Sequence, residues 1–295
     1  MERDSIAIIG LGKVGSALGF LLRSAGYEIV AVSDVSPESL ARGIEFTGGK
    51  ACDDAALAAA EADTIFITTL DDAIETTCNE LSQKGAVNPG DKVVHVSGAA
   101  GLDILDSARR CGAYVASIHP LQSFADRENA IANLPGSTFG ITADEKIYDW
   151  ATEVVTALGG TYFSVAEEDK PLHHAAACMA SNYLVTLMSI VEEIYQSLGL
   201  KDDRAMRAFW PLVKGTIKNI EKKGVLPSLT GPIARGDSGT VEKHLKVLRS
   251  KHPSLLPLYR EMGLFTADIG FHNTTLSNER VHEIKTLLRE EQNDE

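Results

Sequence analysis

Short apolar runs rich in β-branched residues recur at close intervals through the first half of the chain. They are "SIAII" (5–9), "YEIVAVS" (27–33), "DTIFITT" (63–69), "DKVVHVS" (91–97) and "AYVASI" (113–118). The segments between them, 13–25, 36–45, 53–61, 72–84 and 102–111, have helical character. Strands alternating with helices at this spacing predict βαβ units and a parallel, doubly wound sheet. Two more runs, "STFGIT" (137–142) and "GTYFSV" (160–165), flank a helix expected at 145–158 and extend the sheet. Beyond residue 168 no clear strand remains. A helix over 171–199 is apolar almost all round, and further helices are expected at 202–223, 239–250, 254–268 and 277–291. The expected fold class is therefore α/β: a Rossmann doubly wound sheet over 1–168 and an all-helical substrate and dimerisation domain over 169–295. The charged tail "REEQNDE" is expected to fray.

The first strand runs into "GLGKVG", which places Gly10, Gly12 and Gly15 in the spacing G-x-G-x-x-G. The motif alone is weak, but here it follows a strand and opens a helix, the context that makes it specific. Gly10 permits a tight turn, Gly12 lets the backbone approach a pyrophosphate, and Gly15 allows close helix–strand packing. Leu11, Lys13 and Val14 complete the cradle, whose helix N-terminus offers free N–H groups and a positive dipole end. The second strand ends at Asp34, where a carboxylate can accept hydrogen bonds from the ribose hydroxyls and repel a 2′-phosphate. Asp34 favours NAD over NADP, unless it is a turn residue or a helix cap. Thr68, Thr69 and Leu70, at the fourth strand end, are expected along the nicotinamide ribose and pyrophosphate. Asp71 or Asp72 reads as a helix cap.

Composition narrows the function classes. The chain has 295 residues and a net charge of −13, which disfavours a nucleic-acid backbone or an anionic membrane as partner. The cysteines, Cys52, Cys78, Cys111 and Cys178, form no CxxC pair, so neither a zinc site nor a disulfide framework is expected. No signal-peptide pattern opens the chain and no uninterrupted apolar span is seen, so a cytoplasmic protein is expected.

Candidate chemistry gathers at strand ends. "SIHPLQSF" puts His119 after the strand-like run, with Pro120 expected to stop the strand. An imidazole there can take or give a proton beside a cofactor, or it can cap a loop carbonyl. Ser97 ends the preceding strand, and Gln122 and Ser123 follow as short polar groups able to orient a substrate. On the long helix His174, Cys178, Ser181 and Asn182 share one face, a polar stripe that suits either a substrate cleft or a structural hydrogen-bond network. Within "LTGPIARGD", Arg235 can hold a substrate carboxylate or bridge to a second subunit, and Asp237 can orient it or cap the next helix.

Taken together, "GLGKVGSALG", "TTLDDAI", "VVHVSGAAGLDIL", "SIHPLQSF" and "LTGPIARGD" resemble a family of Rossmann-like NAD(P) oxidoreductases over nearly the whole chain. That family is similar in its two-domain architecture to 6-phosphogluconate dehydrogenase, pyrroline-5-carboxylate reductase, ketopantoate reductase, prephenate dehydrogenase and the β-hydroxyacid dehydrogenases, many of them dimers. The resemblance implies hydride transfer between NAD or NADP and a small organic acid, imine or carbonyl compound. Ketopantoate-reductase-like chemistry on a carbonyl or hydroxy acid is the first expectation. An imine reductase or a non-catalytic NAD(H)-sensing module is the alternative. Prephenate dehydrogenases carry a His-Pro where His119 stands. The Lys-x-x-x-Asn pair of the β-hydroxyacid dehydrogenases and ketopantoate reductases is only half present, since Asn182 matches but Cys178 stands at the lysine position. His119, with His174 in reserve, is the expected proton carrier. Asn182, Ser97, Ser181 and Arg235 are expected to position substrate.

Overall fold

A computed structural model of the chain describes residues 4–272 and 276–289. The chain divides into two compact units, Met1–Met188 and Ser189–Glu295. The first is built on eight strands: β1 Ser5–Ile9, β2 Glu28–Ser33, β3 Lys50–Ala51, β4 Thr64–Ile67, β5 Lys92–His95, β6 Tyr114–Pro120, β7 Thr138–Ala143 and β8 Thr161–Ser164. Their order is β3-β2-β1-β4-β5-β6-β7-β8. The helices are α1 Lys13–Ser24, α2 Pro37–Thr47, α3 Ala55–Ala59, α4 Asp71–Gln83, α5 Asp106–Arg110, α6 Arg127–Asn133, α7 Tyr148–Ala157, α8 Lys170–Ala180 and α9 Asn182–Ser197, the last crossing the unit boundary. The second unit adds α10 Asp203–Lys223, α11 Pro232–Arg235, α12 Ser238–Lys251, α13 Leu256–His272 and α14 Asn278–Arg289.

The central strands are apolar at consecutive positions because both faces are covered. Ile6, Ile8, Phe66 and Val94 pack on one side with Leu18 and Leu22 of α1. Ile9, Ile65, Ile67 and Val93 point the other way, against Ile74 and Leu81 of α4 and Leu105. In the second unit Ile233, Val241, Leu245, Ala267, Ile284 and Leu288 form a separate small core.

Four features differ from the pattern reading. β7 runs antiparallel to β6: the connection, braced on α1 and its turn by Arg127, returns beside the end of β6, where the Leu121 N–H bonds to the Thr138 carbonyl, so no crossover is made. β6 does not stop at Ile118: His119 pairs with Gly140 and Pro120 with Phe139. The missing Pro N–H is tolerated because Pro120 is the last residue of the strand. The long apolar helix is broken at Ser181, the C-cap of α8, at φ −113° and ψ −69°. Ser181 and Asn182 are both poor helix-interior residues. Finally, the apolar stretch is not buried. Lys170 is the buried residue of α8, and α9 has none among the described residues. The run Glu167–Ser197 is also long and apolar enough to cross a membrane by length and composition alone, which the sequence reading did not anticipate. The edge strand β3 and the short α6 and α11 were not visible in the pattern, being too brief to show a period. Part of the expected 277–291 helix and most of the charged tail lie outside the described residues.

Candidate functional site

The first turn does with three glycines what the spacing predicts, each for a separate reason. Gly10 has φ +101°, which disfavours any side chain, and a Cβ there would lie 2.8 Å from the Thr68 carbonyl carbon. A Cβ on Gly15 would lie 2.0 Å from the Gly10 carbonyl oxygen, so α1 can approach the turn only without one. A Cβ on Gly12 would meet nothing within 4 Å. Gly12 therefore faces open space, at the N-cap of α1, whose cap carries no side-chain hydrogen bond. Bare N–H groups at an open helix N-terminus fit a pyrophosphate.

Asp34 holds the turn as well as facing the cavity. Its Oδ2 accepts the Leu11 N–H at 2.6 Å and its Oδ1 the Ser36 N–H at 2.7 Å. The cap of α2 is Ser36, whose hydroxyl accepts from Ser39. A carboxylate has lone pairs beyond these two bonds. Leu11 itself is fully buried, and its carbonyl accepts from Ser16 Oγ and from Arg127 of α6. Arg127 also reaches Ser16 Oγ at 3.1 Å, a brace that no sequence motif announced. Thr68 Oγ1 donates to the Gly10 carbonyl at 2.6 Å, which ties the fourth strand end to the loop.

A cavity of about 1150 Å³ runs from this turn along the carboxyl ends of the strands. Gly10, Gly12, Lys13, Val14 and Asp34 line one end, and Thr68, Thr69 and Leu70 the middle. Ser97, Gly98, His119, Gln122 and His174 line the other. Leu11, Gly15, Ser123, Ser181 and Asn182 are not among the lining residues. Ser181 and Asn182 are exposed, and the Asn182 carbonyl accepts from Thr186. Arg235 ends α11 in the second unit and is exposed. Its neighbour Asp237 is spent as the cap of α12, accepting the Thr240 N–H. Asp71 and Asp72 do not cap α4, whose N-cap is Leu70. Instead Asp71 Oδ2 accepts the Ser97 hydroxyl at 2.7 Å. The Ser97 oxygen in turn receives the Ala99 and Ala100 N–H groups at 3.3 and 3.2 Å, so it is largely committed to its own loop. Gln122 donates to the Asn133 carbonyl and to Ser137.

His119 sits in a cluster of imidazoles. Its Nδ1 lies 3.0 Å from His173 Nε2, and its ring packs edge-on against His174 at 5.8 Å between centroids. The ring also sits close against Gly98, where a Cβ would lie 2.6 Å from His119 Cε1. Burial pushes the His119 pKa down to about 3, helped by His173, Lys170 and His174. His173 is lowered too, chiefly by burial. His174 Nε2 lies 3.7 Å from Cys178 Sγ, and its Nδ1 is buried without a hydrogen-bond partner. His95 is structural: Nδ1 accepts the Ser97 N–H, Nε2 meets the Gly101 carbonyl at 3.1 Å, and burial lowers its pKa to about 3. Among the described residues no group of three His, Cys, Asp or Glu could hold a metal ion.

The residue that sequence reasoning missed is Lys170. It is 1% exposed. Its Nζ donates to Ser117 Oγ at 2.6 Å and to the Ser97 carbonyl at 3.1 Å. Burial lowers its pKa to about 8, against the opposing pull of Glu167 and Asp71. One signal was available: a lysine opening a helix sits at the wrong end of the helix dipole, so something other than that helix holds it there.

Residues 1–120 match the Rossmann-like domain family and residues 137–266 a family described as a domain of unknown function (DUF2520). Together they give the two-part organisation that the motifs imply. No curated protein matches the chain. Among solved structures, a protein from Thermotoga maritima is 27% identical with a TM-score of 0.72, covering 91% of this chain and 99% of its own. The pyrroline carboxylate reductase of Plasmodium falciparum, solved with NADP bound, is 12% identical with a TM-score of 0.58, covering 97% and 99%. Prephenate dehydrogenase from Aquifex aeolicus is 16% identical with a TM-score of 0.55, covering 91% and 100%. The fold is thus one shared with nicotinamide-dependent oxidoreductases.

Proposed function

We propose that the protein is an NAD(P)-dependent oxidoreductase that moves a hydride between the nicotinamide and a small carbonyl or hydroxy acid, with NAD preferred. The observation that carries this reading is the continuity of one cavity in the first unit, from the open Gly12 turn to the imidazoles of His119 and His174. The residues fit a dinucleotide. Gly12 and the α1 N-terminus would hold the pyrophosphate, Asp34 the adenosine ribose, and Thr69 and Leu70 the segment toward the nicotinamide. The bound nicotinamide would supply or accept the hydride. The far end then needs a group to handle the proton of the substrate oxygen, and His119, which lines the cavity there, is the residue placed to exchange it. Ser97 is committed to Asp71 and its loop, so its part is to shape the cavity wall. Polar side chains at this end, His119, Gln122 and His174, support catalysis over a purely sensing role, which would close it with apolar side chains, although Asn182, expected beside His119, is exposed and does not line it.

The test is a calorimetric titration with NADH and NADPH, followed by a spectrophotometric screen of small keto and hydroxy acids and cyclic imines. Binding of neither nucleotide would overturn the reading. Turnover confined to imines would move the assignment to an imine reductase, which asks less of His119.

A further inference from the structure

Two glycines make room for the His119 ring at its two nitrogens. A Cβ at Gly98 would lie 2.7 Å from Nε2, and Gly98 and His119 both line the cavity. At Nδ1 the neighbour is His173 of α8, whose Nε2 lies 3.0 Å away, the two rings meeting edge to face with centroids 5.1 Å apart. That approach needs a second bare position. Gly140 of β7 stands opposite His119 in register, and a Cβ there would lie 3.0 Å from His173 Nε2. His173 is half-buried but does not line the cavity. What remains exposed of it therefore opens elsewhere, beside Phe163 of β8, whose ring it meets at 5.5 Å. Two imidazoles joined by one hydrogen bond thus lead away from the cavity wall. They cross a polar layer that also holds Lys170, seated on Ser117 and the Ser97 carbonyl.

We propose that His173 relays the proton that His119 exchanges in the cavity: the two rings form a wire that carries it between the substrate oxygen and solvent. His173 acts through His119, so it is a positioning and relay residue and does not touch the substrate. The inference rests on the oxidoreductase reading and deepens it. A neutral imidazole carries one N–H and one bare nitrogen, so the contact between the two ring nitrogens holds one proton, whichever ring owns it. With both rings protonated at Nδ1, the substrate hydroxyl proton goes to His119 Nε2 as the hydride leaves the substrate carbon for the nicotinamide. The His119 Nδ1 proton crosses to His173 Nε2, and His173 gives its own Nδ1 proton to water. Reduction reverses each transfer, and neither ring ends with a net charge. That matters where this pair sits. The titratable groups facing the rings are Lys170 and His174 on α8 and His95 on β5. Together with burial, they disfavour an imidazolium. A lone base would have to hold that charge, whereas a wire passes the proton on.

The first test needs no turnover. In NMR of the isotope-labelled full chain without cofactor, the ring nitrogens His119 Nδ1 and His173 Nε2 should show a scalar coupling across their hydrogen bond, lost in His173→Gln. Absence of that coupling in the wild type overturns the proposal. The second test is kinetic. His173→Gln keeps a hydrogen-bonding group beside His119 but cannot pass a proton through itself. Its kcat should fall about tenfold or more, with KM and NADH affinity unchanged. Rates in mixtures of light and heavy water should require more than one proton in flight in the wild type and a single one in the variant. Free imidazole should restore turnover to His173→Ala. A residue that only fills space would show neither the altered isotope response nor the rescue. Should a variant not fold, the wild type decides, and a single-proton isotope response there overturns the relay. A chain that binds no nucleotide removes the oxidoreductase reading and the relay with it. A chain that turns over, with His173→Gln indistinguishable from the wild type, removes the relay alone.

Discussion

At His119 the direction of proton traffic follows from its surroundings. In the proposed reaction the ring, its pKa lowered by burial, would take a proton as a substrate alcohol is oxidised and return it in the reverse direction. Position alone, at a strand end near a cofactor loop, leads one to expect activity titrating near the ordinary imidazole value. The buried cluster moves that limb instead. Because a base loses function as pH falls through its pKa, kcat/KM should show no fall attributable to His119 between neutrality and about pH 4, its limb lying near pH 3. His119→Gln should lower kcat ~10²-fold or more while NADH affinity stays within about threefold. Near-normal turnover in the variant would make His119 a structural residue and His174 the next to test. At Asp34, NADH should bind at least tenfold more tightly than NADPH, about 1.4 kcal/mol, as read by calorimetry. The hydrogen bonds to Leu11 and Ser36 add a second consequence. Asp34→Arg should weaken NADH binding by more than it strengthens NADPH binding, because it also frees the turn. Tighter NADPH binding by the wild type would sink this role for Asp34.

At the scale of elements, the strand–helix alternation and the glycine turn were legible because each rests on local chemistry: apolar strands, a φ only glycine favours, a helix opening toward solvent. The proton-handling end was less so. His119 could be placed near a strand end, but its partners come from α8, and no local pattern tells which of His173 and His174 will face it. The antiparallel β7, the break at Ser181 and the burial of Lys170 all depend on long-range packing. The close approach of His119 to Gly98 offers a test of this packing. Gly98→Ala would bring a methyl within 2.6 Å of the imidazole, and the ring, being a side chain, would move rather than the strand. Turnover should therefore fall toward that of His119→Gln with nucleotide binding and thermal stability nearly unchanged. Unaltered turnover would show that the ring position does not matter.

For the whole molecule, the neutral imidazoles link folding to pH. Between about pH 3 and 6.5 the unfolded chain binds protons that folded His95 and His119 exclude, so stability rises with pH across that window and is lost on acidification, by up to ~1.4 kcal/mol per pH unit for each group. Urea midpoints should drop between about pH 7 and pH 4.5, and less steeply in His95→Gln if it folds. The last prediction concerns assembly. Along α8 and the start of α9, Leu172, Met179, Tyr183 and Val185 are 72, 64, 62 and 68% exposed, and residues 171–191 contain no charged side chain. An apolar face of this kind is costly to leave in water. Lipid would meet its length and composition, yet the same run carries Lys170 and His173, both committed to the polar layer under the cavity. A second copy of the chain is the occupant that leaves those contacts intact, so the protein is expected to be a homodimer through this face. Light scattering in detergent-free buffer at micromolar concentration should give twice the 31.6 kDa chain mass, and Val185→Asp should shift it toward the single-chain value. A wild-type monomer that stays soluble would refute the dimer, and recovery only in detergent would assign the face to lipid.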